Sequence, residues 1–193
     1  MQLFKLEYSK YTYYADFVFY AIVLFVIGYL LATTTKSGQY LEAGAYATIG
    51  LLGWTLIEYV IHRFVLHGLP PFKAWHAEHH RRPTALIFAP TFVSASLITL
   101  SVFIPAWLVI GIWSATALTF GVLVGYLFYT LVHHATHHWH THNAWLKERK
   151  RWHALHHHSH NQMLQQHSYY GVTSGFWDKV FSSNKSTKVL PLK

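Results

Sequence analysis

The stretch that decides the fold is PTALIFAPTFVSASLITLSVFIPAWLVIGIWSATALTFGVLVGYLFYTLV, residues 83–132, which contains no aspartate, glutamate, lysine or arginine. The uncharged sequence continues to Leu146. A helix needs about 20 apolar residues to cross the roughly 30 Å hydrocarbon core of a bilayer, so this stretch is long enough for two crossings. We predict spans near Ala89–Ile110 and Ile112–Val132, joined by a tight turn at Gly111.

The rest of the chain is also typical of a membrane protein. Hydrophobic residues make up 52% of it and charged residues 11%, whereas soluble domains average about 25% charged residues. Two further apolar runs, Phe17–Thr35 and Ala43–Phe64, predict two more spans. The first of these is too long for the core of a cleaved signal peptide. The sequence therefore predicts an all-α integral membrane protein with about four transmembrane helices.

Basic residues are unevenly distributed among the segments that join these spans. They precede the first span, lie between the second and third, and follow the fourth, while the other two loops hold only Lys36. The flanking basic residues are Lys5, Lys10, Arg63, Lys73, Arg81, Arg82, Lys147, Arg149, Lys150 and Arg151. By the positive-inside rule, both termini and the middle loop face the cytosol. Because these residues adjoin apolar stretches, the formal charge of +8 indicates an anionic membrane surface and not nucleic acid.

Histidine is the second unusual feature of the chain. It accounts for 17 of the 193 residues, and ten of these form four patterned clusters beside the apolar runs. The clusters are His62 and His67; His76, His79 and His80; His133 and His137; and His153, His156 and His157. The predicted topology places all four on the cytosolic side, where they can converge. Imidazole is the commonest ligand of first-row transition metals, so we predict a cytosolic cap that holds two metal ions.

Spacing within the clusters predicts which histidines share a helical face. In three of the clusters, the later histidines come three or four residues after the first one. Each of these clusters is therefore expected to lie on one face of a helix. His62 and His67 are five residues apart, and we therefore expect the second span to unwind near Val65–His67. In the repetitive run 133–142, the register His134/His138 is an alternative to His133/His137.

Acidic residues are scarce, and this limits the kind of metal site. The chain has seven aspartates and glutamates and no Glu-x-x-His pair, on which carboxylate-bridged di-iron sites of helical bundles depend. With a carboxylate-bridged site disfavoured, the remaining possibility is a site in which two metal ions are bound almost entirely by histidines. Glu58, Glu78 and Asp178 are candidates to hold imidazole N–H groups from behind, although Asp178 is expected mainly to pack the C-terminal segment under the site. Cysteine is absent, which excludes thiolate ligands and cysteine-held iron–sulfur clusters.

Four segments together resemble the histidine boxes of the fatty acid hydroxylase and sterol desaturase superfamily of membrane di-metal enzymes. They are EYVIHRFVLH (58–67), HAEHH (76–80), GYLFY with HHATH (125–129 and 133–137) and WHALHH (152–157). The tail GVTSGFWDKVF (171–181) is similar in particular to that of fatty acid 2-hydroxylases. The resemblance covers about residues 58–181, so we expect a fatty acid hydroxylase domain there, generic membrane spans in 1–57 and a polar tail in 182–193.

The resemblance implies an activity and its cofactors. The ten clustered histidines would hold two iron ions, for which zinc can substitute during purification. The reduced centre would use oxygen to hydroxylate a lipid, in first place a fatty acyl chain at its 2-position. Electrons would come from a carrier such as cytochrome b5 or ferredoxin. Some relatives carry a fused cytochrome b5 domain, for which this chain has no room before its first span, so the expected donor is external.

Other functions share parts of this pattern. Sterol desaturases and carotenoid hydroxylases of the same superfamily have the same boxes and are the alternative enzymes. A metal-binding or haem-binding membrane protein without enzymatic activity is the other alternative. Transport predicts ionisable residues midway through spans, whereas these histidines lie at span ends, which favours an enzyme.

Overall fold

The computed structural model describes residues 7–158 and 168–184, and in these ranges the chain is mainly helical. Long helices α1 and α2 are followed by the shorter α3 and α4, the longest helix α5, and then α6 and α7. Their bounds are Lys10–Thr34 (α1), Tyr40–Val60 (α2), Phe72–Arg81 (α3), Thr91–Ile98 (α4), Ile104–His138 (α5), Ala144–His158 (α6) and Phe176–Val180 (α7). Two π-helical segments, Ile61–Leu66 and Thr99–Phe103, continue α2 and join α4 to α5.

Three continuous helical stretches in the described ranges are long and apolar enough to cross a membrane. They are Lys10–Thr34, Tyr40–Leu66 and Thr91–His138. Large apolar side chains are exposed on their surfaces, among them Phe25 (74%) and Val109 (82%). Such a surface is unfavourable in water and favourable against lipid hydrocarbon. The chain is therefore an all-α integral membrane protein, as predicted.

The third stretch reverses direction at Gly111. Its 48 residues would extend about 72 Å as one straight helix. Gly111 instead has φ 80° and ψ 161°, a positive φ that glycine adopts without steric cost. Ser94 and Tyr126, at similar sequence distances on either side of Gly111, both contact Tyr20: its hydroxyl lies 2.6 Å from Ser94 Oγ and its ring centroid 4.7 Å from that of Tyr126. The two arms therefore run side by side, which favours the prediction of four crossings.

Close contact between α2 and α5 aligns the ends of these two helices. A Cβ at Gly50 would lie 2.0 Å from the Leu118 carbonyl oxygen, and one at Gly121 would lie 1.9 Å from the Ala47 carbonyl oxygen. Small residues let helix backbones touch, which is how many membrane helices pack. Because α2 and α5 are held together in this way, the histidines at their ends emerge at the same end of the bundle.

The C-terminal segment packs against α2 below these histidines. The indole Nε1 of Trp177 donates to Thr55 Oγ1 at 3.0 Å, and the Trp177 ring stacks on Phe181 at 5.9 Å. The buried Asp178 lies beside them. This agrees with the packing expected of the tail motif, while residues 185–193 of the predicted polar tail lie outside the described ranges.

Candidate metal centre

Nine of the ten predicted histidines form two groups. The first group is His62, His67, His76, His80 and His156, and the second group is His79, His133, His137 and His153. Within each group the possible ligand nitrogens lie within 4.8 Å of one another. The tenth, His157, adjoins the second group, with its Nε2 3.1 Å from the Nε2 of His153. The structure thus brings all ten together.

A π-helix explains how His62 and His67 enter one group. The segment Ile61–Leu66 continues α2 as a π-helix, in which backbone hydrogen bonds join residues five apart. Residues five apart therefore share a face, and the ring centroids of His62 and His67 are 5.3 Å apart. The helix therefore leaves α-helical geometry at Ile61 and ends at Leu66, within the range where unwinding was expected.

α3 and α6 each supply histidines to both groups. On α3, His76 and His80 belong to the first group and His79 to the second; on α6, His156 belongs to the first and His153 to the second. Successive residues on an α-helix are rotated by about 100°, so neighbours such as His79 and His80 diverge sideways. The expectation that each cluster acts as one face is therefore replaced by two adjacent groups, with the rings of His76 and His79 5.5 Å apart.

The structure distinguishes the two registers of the third box. His133 and His137 project from α5 into the second group. His134 faces another direction, where its Nδ1 lies 3.1 Å from the hydroxyl of Tyr13. The register His133/His137 is thus the one directed at the candidate metal centre. His160 and His167 lie outside the described residues.

Contacts among the first group cannot all be hydrogen bonds. The Nε2 of His76 lies 3.0 Å from that of His62 and 3.1 Å from that of His80. The Nε2 of His156 lies 3.1 Å from those of both His67 and His80. Each Nε2 carries either one hydrogen or one lone pair, so it can bond only one neighbour. Two nitrogens that are about 2.1 Å from a shared ion and at right angles are about 3.0 Å apart, so these spacings fit nitrogens around a common cation.

The second group also fits a metal. His79 is buried, and among the described residues neither of its ring nitrogens has a hydrogen-bond partner. A buried polar atom without a partner costs about 1–3 kcal/mol. The Nε2 of His153 lies 2.7 Å from that of His137 in the same group. A cation bound among these rings would give His79 the partner that the protein does not supply.

Backbone carbonyls set the orientation of two rings in the first group. The Nδ1–H of His62 donates to the Tyr170 carbonyl at 2.5 Å, and that of His156 donates to the Ser168 carbonyl at 2.8 Å. A carbonyl can only accept, so it places the hydrogen on Nδ1 and leaves the Nε2 lone pair directed into the group. This arrangement is common behind metal-ligating histidines.

Glu58 and Asp178 contact the backbone behind the histidines and not the imidazole rings themselves. Asp178 accepts from the backbone N–H groups of Tyr170 and Gly171 at 2.8 and 2.7 Å. Glu58 accepts from the N–H groups of Val172 and Thr173 at 2.7 and 2.9 Å. Both carboxylates therefore hold the 170–173 loop, which in turn holds His62, and the expectation that they bond imidazoles directly is corrected.

Glu78 has a different role again. Its carboxylate forms ion pairs with Arg81 and, at 2.6 Å, with Arg82. Arg81 is the last residue of α3 and Arg82 follows it directly, so both lie about one turn beyond Glu78. Because Glu78 follows the buried His76 by two positions, it lies on the opposite side of α3 and supports the helix surface, not the histidines.

Burial keeps the histidines of the cap neutral. Burial, and then the neighbouring His137 and His157, lower the pKa of His79 to about 2. Burial is also the main reason that the pKa values of His76, His153 and His156 lie well below the ordinary 6.5. Neutral imidazole is the form that binds metal, so the fold prepares these side chains as ligands.

A cavity of about 220 Å³ opens from the histidines into the membrane helices. His62, His76, His79 and His133 line one part of it. Elsewhere its wall is mainly apolar and includes Leu97, Ile98, Val102 and Val122. The candidate metal centre therefore adjoins a space suited to a hydrocarbon chain.

Sequence reasoning missed three groups that the structure places around the centre. The carbonyls of Ser168 and Tyr170 could not be found, because a backbone acceptor carries no signal in residue type. Asp16 was the third: it lies in α1, one residue before the predicted first span, is 5% exposed and lines the cavity. A lone carboxyl group within the apolar helix α1 was the signal that could have identified it.

Comparison with known proteins assigns the chain to a family. A family model described as fatty acid hydroxylase matches residues 47–183. A dihydroceramide fatty acyl 2-hydroxylase of Arabidopsis thaliana is 30% identical over 87% of this chain and 73% of its own length. A ceramide very long chain fatty acid hydroxylase of Schizosaccharomyces pombe is 34% identical over 70% of this chain and 41% of its own length, so this chain spans less than half of that relative.

A solved structure has the same fold. It is described as full-length scs7p with only the hydroxylase domain visible, and it covers 94% of this chain and 69% of its own with a TM-score of 0.73 at 24% identity. The helical bundle and its cap are therefore an arrangement already seen in a hydroxylase domain. With the match over 47–183, the chain belongs to the fatty acid hydroxylase family of oxygen-dependent oxidoreductases.

Proposed function

We propose that this protein is a di-iron fatty acyl 2-hydroxylase of the membrane. In the reaction, R–CH2–CO–X, O2, two electrons and two protons give R–CHOH–CO–X and water. The observation that carries the proposal is that both histidine groups border one apolar cavity, through His62, His76, His79 and His133. The relatives from Arabidopsis and fission yeast, named as an acyl 2-hydroxylase and a ceramide fatty acid hydroxylase, support the same substrate class.

The two groups would each hold one iron ion. The first would be held by His62, His67, His76, His80 and His156, and the second by His79, His133, His137 and His153 together with His157. When bound, iron would supply the oxygen chemistry needed to hydroxylate the C–H bond beside the acyl carbonyl. Burial keeps the rings neutral, and the Tyr170 and Ser168 carbonyls hold two of them with Nε2 directed inward.

The cavity would orient the substrate. Its apolar wall, with Leu97, Val102 and Val122, would hold the hydrocarbon tail and exclude water from it. Polar wall residues are found near the histidines, where the Tyr129 ring stacks on His133 with centroids 5.8 Å apart. The polar end of the lipid therefore lies at the histidines. The first methylene beside the acyl carbonyl is then the carbon that the centre meets, which accounts for position 2.

Three further expectations belong to this proposal. The basic residues that flank the spans support a cytosolic metal centre with both termini on the same side. Electrons come from a separate carrier such as cytochrome b5 or ferredoxin; the absence of cysteine excludes a cysteine-held iron–sulfur cluster in the chain itself. The hydroxylase domain is taken as 58–181, close to the family match at 47–183.

Product analysis in isotopically labelled oxygen tests the reaction. Purified protein with ferrous iron, an acyl lipid and a reductant should give a product heavier by one oxygen atom, labelled at the carbon beside the carbonyl. An unlabelled product, a new double bond or hydroxylation of a ring substrate only would contradict the proposed reaction.

Two adjacent histidines of α5 test the metal centre. His137 belongs to the second group, whereas His138 stacks on His134 with ring centroids 4.4 Å apart. We expect His137→Ala to lower the bound iron and abolish the product, and His138→Ala to retain both. Full iron content and turnover in the H137A variant would show that the second group is not the site.

A further inference from the structure

Asp16 is a buried carboxyl group inside the membrane bundle that the proposed reaction does not use. It lies within α1, is 5% exposed and lines the cavity. An ionisable side chain at such a depth is costly unless it has a partner or a function. Glu58, the other carboxylate in the cavity wall, accepts from the 172–173 backbone and from the Thr173 hydroxyl.

One oxygen of Asp16 has a partner in the protein. Its Oδ1 accepts a hydrogen bond from Thr91 Oγ1 at 2.6 Å, and Thr91 begins α4. Among the described residues this is the hydrogen bond that Asp16 makes. A carboxyl group has two oxygens with acceptor sites on each, so Oδ2 retains acceptor capacity at the cavity wall.

The position of Asp16 places this acceptor near the reacting end of a bound lipid. The buried face of α1 consists of Tyr13, Asp16 and Tyr20. Tyr13 lies at the level of the histidines, since its hydroxyl is 3.1 Å from His134 Nδ1. Asp16 is three residues further along α1, and therefore about 4.5 Å deeper. A donor a few bonds beyond the acyl carbonyl reaches that depth when the polar part of the lipid turns into the cavity along α1 while the acyl tail follows the apolar wall, and the inference requires this arrangement.

A structural role explains only part of this arrangement. The bond to Thr91 ties α1 to the start of α4, where a negative charge also interacts favourably with the helix dipole. An asparagine or a serine could form the same tie. That role accounts for Oδ1 and leaves the acceptor capacity of Oδ2, on a residue that lines the cavity, without a purpose within the protein.

We propose that Asp16 is a specificity-determining residue that accepts a hydrogen bond from an amide N–H or a hydroxyl group of the lipid. The common chemistry is a neutral donor on the polar part of an acyl lipid. This inference rests on the proposed function for the placement of the reacting carbon. Binding of the donor can nevertheless be measured without turnover, so the two proposals can fail separately.

The experiment is equilibrium binding of matched lipid pairs to the iron-loaded full chain without reductant. N-ethyl palmitamide is compared with N,N-diethyl palmitamide, which lacks the N–H. Hydroxyethyl palmitate is compared with methoxyethyl palmitate, which lacks the hydroxyl. Loss of one hydrogen bond to a buried acceptor weakens binding by up to about tenfold, so we expect at least one donor lipid to bind several-fold to about tenfold more tightly than its partner.

Four variants separate recognition from structure. Asp16→Leu should bring the preference close to one, and Asp16→Ala should do the same if the leucine variant does not fold. Asp16→Asn, which keeps an acceptor oxygen, should retain a smaller preference. Thr91→Val removes the tie to α4 and should retain the wild-type preference, even if it lowers thermal stability.

The outcomes assign the donor or overturn the proposal. Discrimination within the amide pair identifies an N–H as the donor, and discrimination within the hydroxyl pair identifies an O–H. Equal binding within both pairs by the wild-type protein would overturn the proposal, as would a D16A variant that keeps the preference. A preference without hydroxylation in labelled oxygen would leave Asp16 in its role and refute the proposed function.

Discussion

Replacing Asp178 by alanine tests whether the C-terminal loop controls the metal centre. Asp178 is fully buried and accepts from Tyr170 N, Gly171 N and Ser183 Oγ at 2.8, 2.7 and 2.7 Å. The variant leaves two buried backbone N–H groups without a partner. Each costs about 1–3 kcal/mol, so the loop is destabilised by about 2–6 kcal/mol.

Loss of the Asp178 hydrogen bonds should also affect the histidines, because backbone carbonyls near the loop orient two of their rings. The loop supplies the Tyr170 carbonyl to His62, and Ser168, two residues before the loop, supplies its carbonyl to His156. Loss of such a support typically lowers metal affinity about 10–100-fold. We expect Asp178→Ala to lower iron affinity by a factor in this range, measured by competition with a chelator of known affinity in the same detergent.

A matched control and a second readout make the result decisive. Arg151→Ala removes an exposed charged side chain from α6, which also carries His153 and His156, and should leave iron affinity unchanged. Thermal unfolding of the metal-free protein reports the loss of stability separately. If D178A unfolds more easily but binds iron as tightly as the wild type, the carbonyls do not support the ligands and the reasoning is refuted.

Two other consequences concern helix packing and pH. Gly50→Ala places a Cβ 2.0 Å from a backbone oxygen and should lower the free energy of unfolding by about 1–3 kcal/mol. The control Gly53→Ala, whose Cβ would have nothing within 4 Å, should leave the free energy of unfolding unchanged. Equal unfolding midpoints for the two variants would show that α2 and α5 are not held by this contact. Because burial lowers the pKa of His79 from 6.5 to about 2, the unfolded state binds more protons between these values. The stability of the metal-free protein should therefore rise with pH up to about 6.5 and level off above it; greater stability in acid would contradict the assignment.

Much of the membrane architecture could be predicted from the sequence. Apolar runs predict spans because lipid requires every backbone polar group to be satisfied within a helix. The turn at Gly111 was also predictable, since a reversal inside a long uncharged run requires a residue that tolerates positive φ. The span count and the side of the membrane stay predictions, favoured by the Gly111 reversal and the basic loops.

The internal arrangement of the site was less accessible. The spacing of His62 and His67 predicted that the helix unwinds near Val65–His67, and the structure adds that its last six residues, up to Leu66, form a π-helix. Both solutions allow the two residues to meet, and periodicity alone does not distinguish them. The acids were assigned to imidazoles, whereas Glu58 and Asp178 bond a loop more than 100 residues away from Glu58 in sequence.

By itself, the sequence determined that this protein lies in lipid, that ten histidines converge near one end of its spans, and that it resembles the fatty acid hydroxylases. Composition and local spacing carry this information, because lipid and metal ions each select residue types directly. Only the tertiary structure decided that the boxes divide into two groups, that carbonyls and not carboxylates orient the rings, and that Asp16 lines the cavity. These features depend on how helices rotate and pack against one another, which no local pattern specifies.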